Sequence, residues 1–426
     1  MNHYKKFGPI SIVLFGINTI IGSGVFLLPH QTYAMIGNLS IIVLIIDALV
    51  ALGIALSFAE NASRFNQDGG PYLYATQAFG DFVGFEVGFI KWVVTMIALA
   101  SQVNAFALTF SKTFPIANEA ILQKTTIITL FLLLMGIQFI GPQGTKWSSN
   151  IATVAKLIPL IIIIGVGIWY INPHQFVSTT NLSPYATTLG QASVMMFYGF
   201  SGFESLVVVA EKMKDPNKNM PRALLWTMLV VPMIYILLQI IAIGVLGSDL
   251  KTTTLPFQTV MERLIGPFGG LLVSFGTLLS ILGITISLSF VGATSAEVLA
   301  QDGLLPSIFS KKKNDVLVWN IMITLGIALI IALSGSFTTL ATMSVIARFA
   351  QYIPTVLAVL VLRKTKGKAP FTIWGGRLIP IMSLMAMGWF MIQTSWQDLV
   401  GGMIGLIIGI PIYMVQKKRL INKQPC

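Results

Sequence analysis

The chain has 426 residues, of which 55% are hydrophobic and 10% charged, with a formal net charge of +12 and a mean hydropathy of +0.82. Such a composition excludes a soluble globular protein and assigns a polytopic, all-α membrane protein. The basic excess would suit a nucleic acid, but the placement of the basic residues removes that partner.

A span takes roughly 20 mostly apolar residues. The first apolar run, 11 to 36, follows Lys5 and Lys6 in the manner of a signal peptide, yet it is long and lacks a small-residue cleavage site, so it reads as a retained helix. Inside it lies Thr19-Ile20-Ile21-Gly22-Ser23-Gly24-Val25-Phe26-Leu27-Leu28-Pro29, two glycines and a serine in an apolar segment. In hydrocarbon every backbone polar group needs a partner within the protein, so unwound backbone survives only where it lines a cavity or a ligand. Further spans are expected at 40 to 60, 83 to 110, 126 to 141 and 149 to 170. The sixth, 187 to 210, carries a second break, Phe197-Tyr198-Gly199-Phe200-Ser201-Gly202-Phe203-Glu204. Six more follow at 223 to 247, 268 to 299, 317 to 335, 338 to 362, 378 to 394 and 397 to 416, about twelve in all. The intervening polar stretches, such as 61 to 82 and 248 to 267, are too short for a soluble domain.

With the N-terminus inside, Lys5, Lys6, Arg64, Lys146, Lys212, Lys214, Lys218, Arg222, Lys311 to Lys313, Arg363, Lys364, Lys366, Lys368, Arg377, Lys417, Lys418, Arg419 and Lys423 face the cytoplasm, against Lys112, Lys124, Lys251 and Arg263 outside. This positive-inside pattern places both termini in the cytoplasm. The sole cysteine, Cys426, excludes an intrachain disulfide, and His3, His30 and His174 have no metal-ligand spacing. Neither a metal nor a cofactor is expected.

The breaks open two blocks of five spans, 11 to 170 and 187 to 362, with two added helices in 378 to 416. An odd number of spans inverts the second block relative to the first, and paired interrupted helices in corresponding positions point to a secondary transporter's solute site. Seven ionisable residues fall within spans: Asp47, Glu86, Lys91, Lys156, Glu204, Glu297 and Arg348. Each is a functional candidate by default. Glu86 and Glu297 lie near helix ends and are expected to snorkel; Asp47 has no assigned role. Lys156 and Arg348 occupy the last helix of each block. Lys91 and Glu204 are expected to pair if the third and sixth helices are neighbours, either as a gate or as a structural tie.

Four motifs in order, Thr19 to Pro29, Phe200-Ser201-Gly202-Phe203-Glu204-Ser205, Lys214-Asp215-Pro216-Asn217-Lys218-Asn219-Met220-Pro221-Arg222 and Gln301-Asp302-Gly303-Leu304-Leu305-Pro306, resemble amino acid permeases of the amino acid/polyamine/organocation superfamily. The resemblance covers nearly the whole chain and implies a LeuT-like fold of two five-helix inverted repeats, broken first and sixth helices and alternating access. It also implies a substrate carboxylate on the amides around Ile21, Gly22, Ser23 and Gly24, with the ammonium on carbonyls around Ile20, Tyr198 and Ser201. Tyr198 matches the aromatic gate of the sixth helix. Where the arginine/agmatine and ornithine/putrescine antiporters carry an eighth-helix tryptophan and a third-helix tyrosine, this chain has Leu288 and Lys91, which argues for zwitterionic substrates. Lys156 matches a fifth-helix lysine that replaces sodium in sodium-independent members. It acts either as a fixed charge or as a proton carrier, so protons are the candidate coupling ion.

The expected function is sodium-independent uptake or exchange of neutral amino acids across the cytoplasmic membrane. The alternative is exchange of an amino acid for its decarboxylation product. No Gly-x-Ser-x-Gly elbow or paired metal-binding histidines support an intramembrane enzyme, the remote alternative, and nothing resembles the charged rings or filters of a channel.

Overall fold

A computed structural model describes residues 9–65, 70–115, 119–139, 156–176, 188–208, 215–313 and 316–421. Lys5, Lys6, Lys146, Lys212, Lys214, Lys423, His3, Cys426 and the start of the fifth predicted span lie outside them.

The protein is helical throughout these segments. The first span is two helices, α1 (Pro9–Ile20) and α2 (Ser23–Ile36), bent by 44° at the break. Next come α3 (Leu39–Ala62), α4 (Pro71–Phe79), α5 (Asp81–Thr113), α6 (Glu119–Phe139) and α7 (Lys156–Tyr170). The sixth predicted span is α8 (Thr188–Phe197), a 3-10 turn over Tyr198–Phe200, and α9 (Glu204–Val208). The rest is α10 (Pro216–Leu246), α11 (Pro256–Ile265), α12 (Pro267–Gln301), α13 (Val318–Ser334), α14 (Phe337–Thr365), α15 (Leu378–Gln393) and α16 (Trp396–Ile421). Among the described residues α3, α5, α6, α10, α12, α14 and α16 are long and apolar enough to cross a membrane, the bent α1–α2 pair makes an eighth span, and α7, α13 and α15 are apolar but shorter.

Two stretches expected as loops hold helices. Both α4 and α11 start on a proline at the first helical position, where the missing N–H costs nothing. Phe257, Val260 and Met261 bury one face of α11, and Phe257 meets Phe26 of α2 edge to face at 6.5 Å. An amphipathic helix of 10 residues carries too little hydropathy to register as a span, which is why it reads as a loop.

Buried apolar side chains form two principal clusters. One is built mostly from α1, α2, α3, α8, α10 and α14, the other from α5, α6, α12 and α13. At one end of the molecule the fully buried Glu60 of α3 ties α14 and the following segment together. It accepts from Arg363 Nε and Nη2 at 2.7 and 2.5 Å and from the Ile373 amide at 2.9 Å. Arg64, one turn on, adds a longer contact at 3.4 Å.

Candidate functional site

One cavity is lined by both interrupted segments and by three further helices. From one side it is lined by Thr19, Ile20, Gly22 and Gly24 of the first break and by Tyr198, Ser201, Glu204 and neighbours of the second. The rest of the lining is Lys91, Val94, Thr95, Ala98 and Gln102 of α5, Ile284, Leu288 and Val291 of α12, and Arg348 and Gln351 of α14, with Arg348 against Glu204. The α5 residues recur at helical spacing and form one stripe, running about 16 Å from Gln102 back to Lys91 at 1.5 Å per residue.

The first break leaves backbone groups of both signs open. A helix start has amides without intrahelical acceptors, and a helix end has carbonyls without donors. Among the described residues the amides of Gly22 and Gly24 reach no acceptor, and the Ile20 and Ser201 carbonyls accept no hydrogen bond. All four residues line the cavity. Gly24 is required to be small: a Cβ there would stand 3.0 Å from the Gly199 Cα, so the interrupted segments meet backbone to backbone. Gly202, at φ +116, adopts a conformation open to glycine, and a Cβ on it would strike the Thr19 carbonyl oxygen.

Lys156 is fully buried and does not line the cavity; it stands behind the break. Its Nζ donates to the Asn18 carbonyl at 2.8 Å and the Ile21 carbonyl at 3.0 Å, supplying a cation where the C-terminal end of α1 concentrates partial negative charge.

The second break is held differently. Ser201 donates to the Tyr198 carbonyl through both its amide, at 3.2 Å, and its hydroxyl, at 2.7 Å. The expectation that Tyr198 offers an open carbonyl to a substrate ammonium is therefore corrected, because Ser201 fills both lone-pair positions; the open carbonyls are those of Ile20 and Ser201. The pairing expected between Lys91 and Glu204 is also corrected. Glu204 forms an ion pair with Arg348 and accepts from Tyr352 Oη at 2.7 Å and the Gly202 amide at 2.9 Å. The Tyr352 ring packs with those of Phe58 and Phe203, the three centroids 5.3 to 5.5 Å apart. Lys91 and Leu288 line the cavity as separate elements of its far wall.

Sequence reasoning missed Gln102. Its Oε1 accepts from the Ser23 amide at 3.1 Å and its Nε2 donates to Tyr198 Oη at 2.9 Å, so one side chain of α5 touches both breaks. A signal exists in the chain: extending the Lys91 stripe by helical steps reaches a glutamine in an apolar span. Of the remaining charged residues, Glu86 does not snorkel. It is buried against Gly409 of α16, with no hydrogen-bond partner on either carboxyl oxygen. Glu297 pairs with Lys312 at 3.0 Å. The described residues contain no group of histidines, cysteines and carboxylates able to hold a metal.

A family model described as amino acid permease matches residues 7–416. The chain is 29% identical over 438 residues to a serine/threonine exchanger of Bacillus subtilis, covering 97% of each protein. It is 23% identical over 446 residues to a branched-chain amino acid permease of the same organism, covering 97% of this chain and 93% of the relative. With an uncharacterized transporter of Mycobacterium tuberculosis it shares 29% identity over 391 residues, 85% of this chain and 81% of the relative.

Proposed function

The chain belongs to the amino acid permease family, and from that premise we propose that this multi-pass membrane protein transports zwitterionic amino acids by alternating access. One observation carries the reading. Open amides at Gly22 and Gly24 and open carbonyls at Ile20 and Ser201 border a single cavity, a donor and acceptor set complementary to a carboxylate and an ammonium on one small molecule.

Residues 11 to 170 and 187 to 362 form the two inverted repeats, each opened by an interrupted segment. The protein lies in the cytoplasmic membrane with both termini inside. In that orientation the Lys91 end of α5 faces the cytoplasm, so the cavity runs from the breaks toward the inner surface. Lys91 on its wall opposes a second positive group on the substrate, the Arg348 charge being matched by Glu204, which favours neutral amino acids over diamines and over an amino acid/amine exchange. The Lys156 ammonium, bonded to two carbonyls of the first break, stands where a coupling cation would otherwise bridge α7 to that break, so transport is sodium-independent. Purified protein in liposomes preloaded with one amino acid tests this, using the twenty L-amino acids and their decarboxylated amines with and without sodium and a pH gradient. Exchange of neutral amino acids in sodium-free buffer is expected. Robust amine uptake or a sodium requirement would overturn it, and stimulation by an inward proton gradient would assign the coupling to protons.

A further inference from the structure

The second break shows what an amide in such a position takes as a partner. The Gly202 N–H donates to the chain's own carboxylate, Glu204 Oε2, at 2.9 Å. The first break has no carboxylate of its own. Its Ser23 N–H, fully buried, donates instead to a neutral carboxamide from another helix, Gln102 Oε1 at 3.1 Å. Gln102 is itself buried and sits so close that a Cβ on Gly22 would fall 2.7 Å from its Nε2.

Building on the reading that the substrate carboxylate binds at the first break, we infer that Gln102 is a stand-in for that carboxylate, holding the Ser23 amide while the site is empty and surrendering it when substrate arrives. The exchange is favourable on chemical grounds. An N–H to carboxylate hydrogen bond is charge-assisted and roughly twice as strong as one to a neutral amide, and the N-terminal end of α2 adds attraction for an anion. For the Ser23 amide the cost of a buried donor without an acceptor is also avoided. Gln102 therefore sets a threshold: a ligand displaces it only by bringing an acceptor better than a carboxamide. That makes it a specificity-determining residue, selecting amino acids over amines and over carboxyl esters of similar size. Through Nε2 the same side chain holds Tyr198 Oη at 2.9 Å, so its departure also frees the aromatic ring of the second break.

The test uses the full-length protein in detergent, with binding of the twenty L-amino acids, their methyl esters and their decarboxylated amines. Gln102→Met keeps the length of the side chain and removes both hydrogen bonds. Binding of the amino acids should tighten about five- to tenfold, the equivalent of one ordinary hydrogen bond no longer competing, while binding of esters and amines shifts less. Gln102→Glu places a permanent carboxylate on the Ser23 amide. It should weaken amino acid binding more than about tenfold and strengthen amine binding, because the variant supplies the group the amine lacks. Circular dichroism and gel filtration check folding, and Gln102→Asn, too short to reach Ser23, replaces the methionine variant if that one fails to fold. Unchanged or weaker amino acid binding in a folded Gln102→Met protein would overturn the inference, leaving Gln102 as a bystander or a direct ligand. If instead the unmodified protein binds amines as tightly as amino acids, the first-break carboxylate site is itself misplaced, whatever Gln102 does.

Discussion

The two breaks are built to the same plan and held by opposite means. Each has a buried cation supplied by another helix: Lys156 of α7 at the first, Arg348 of α14 at the second. At the first break the cation bonds backbone carbonyls, and neighbouring amides remain open on the cavity. At the second it bonds a carboxylate, Glu204, which also closes the Gly202 amide and takes the Tyr352 hydroxyl. The second break closes its Gly202 amide with a carboxylate of its own, while the first leaves the Gly22 and Gly24 amides open on the cavity.

This contrast is most exposed at Glu204 and Arg348, where the largest effects are expected. Removing one member of a buried pair strands the other charge, at a cost of about 3–5 kcal/mol. Glu204→Gln or Arg348→Met should therefore yield poorly folded protein, visible as aggregation on gel filtration and a much lower melting temperature in detergent. The double variant Glu204→Leu with Arg348→Met should recover a large share of that stability, because no charge is left stranded. If each single variant folds like the parent, the second break is not the rigid one.

At the first break the loss should be functional. Lys156→Met keeps the apolar stem and deletes two bonds from a charged donor, worth about 1.5–3 kcal/mol each. Transport should fall on the order of a hundredfold while the protein still elutes as a single folded species. Uptake within a few-fold of the parent would show that the open geometry persists without the ammonium.

A smaller effect is expected at the seam. Gly24→Ala introduces a Cβ 3.0 Å from the Gly199 Cα, an overpacking of about 1–3 kcal/mol, and should weaken substrate binding about tenfold in an equilibrium titration. Gly24→Val should abolish it; normal transport by that variant would move the site elsewhere. The smallest effect belongs to Lys91, far from the breaks on the cavity wall. Lys91→Tyr should let arginine and diamines compete a few-fold better against uptake of a neutral amino acid, and an unchanged inhibition profile would remove Lys91 from the selectivity of the cavity.

Much of this is legible in the chain. The breaks can be read because glycine and serine clustered in an apolar run weaken a helix where hydrocarbon otherwise enforces one, and both clusters fall where helices are interrupted. Lys156 can be read because a lone ammonium in an apolar helix must find carbonyls, and a neighbouring helix break is where they are unpaired. The partner of Glu204 cannot be read in the same way. Lys91 and Arg348 are both cations in spans, and only the packing of α9 against α14 decides between them. Gln102 escapes because a glutamine carries no charge to draw attention, although it continues the stripe of Lys91, Thr95 and Ala98. The short helices α4 and α11 escape because hydropathy measured over a full span averages one buried face into a polar loop.

The contacts of Gly24 with Gly199 and of Gly202 with Thr19 have a mechanical consequence. The interrupted segments approach each other at two points where a side chain on the glycine would meet the other segment's backbone. Two such close approaches leave little room for either segment to shift toward the other, so a displacement at one break is passed to its counterpart.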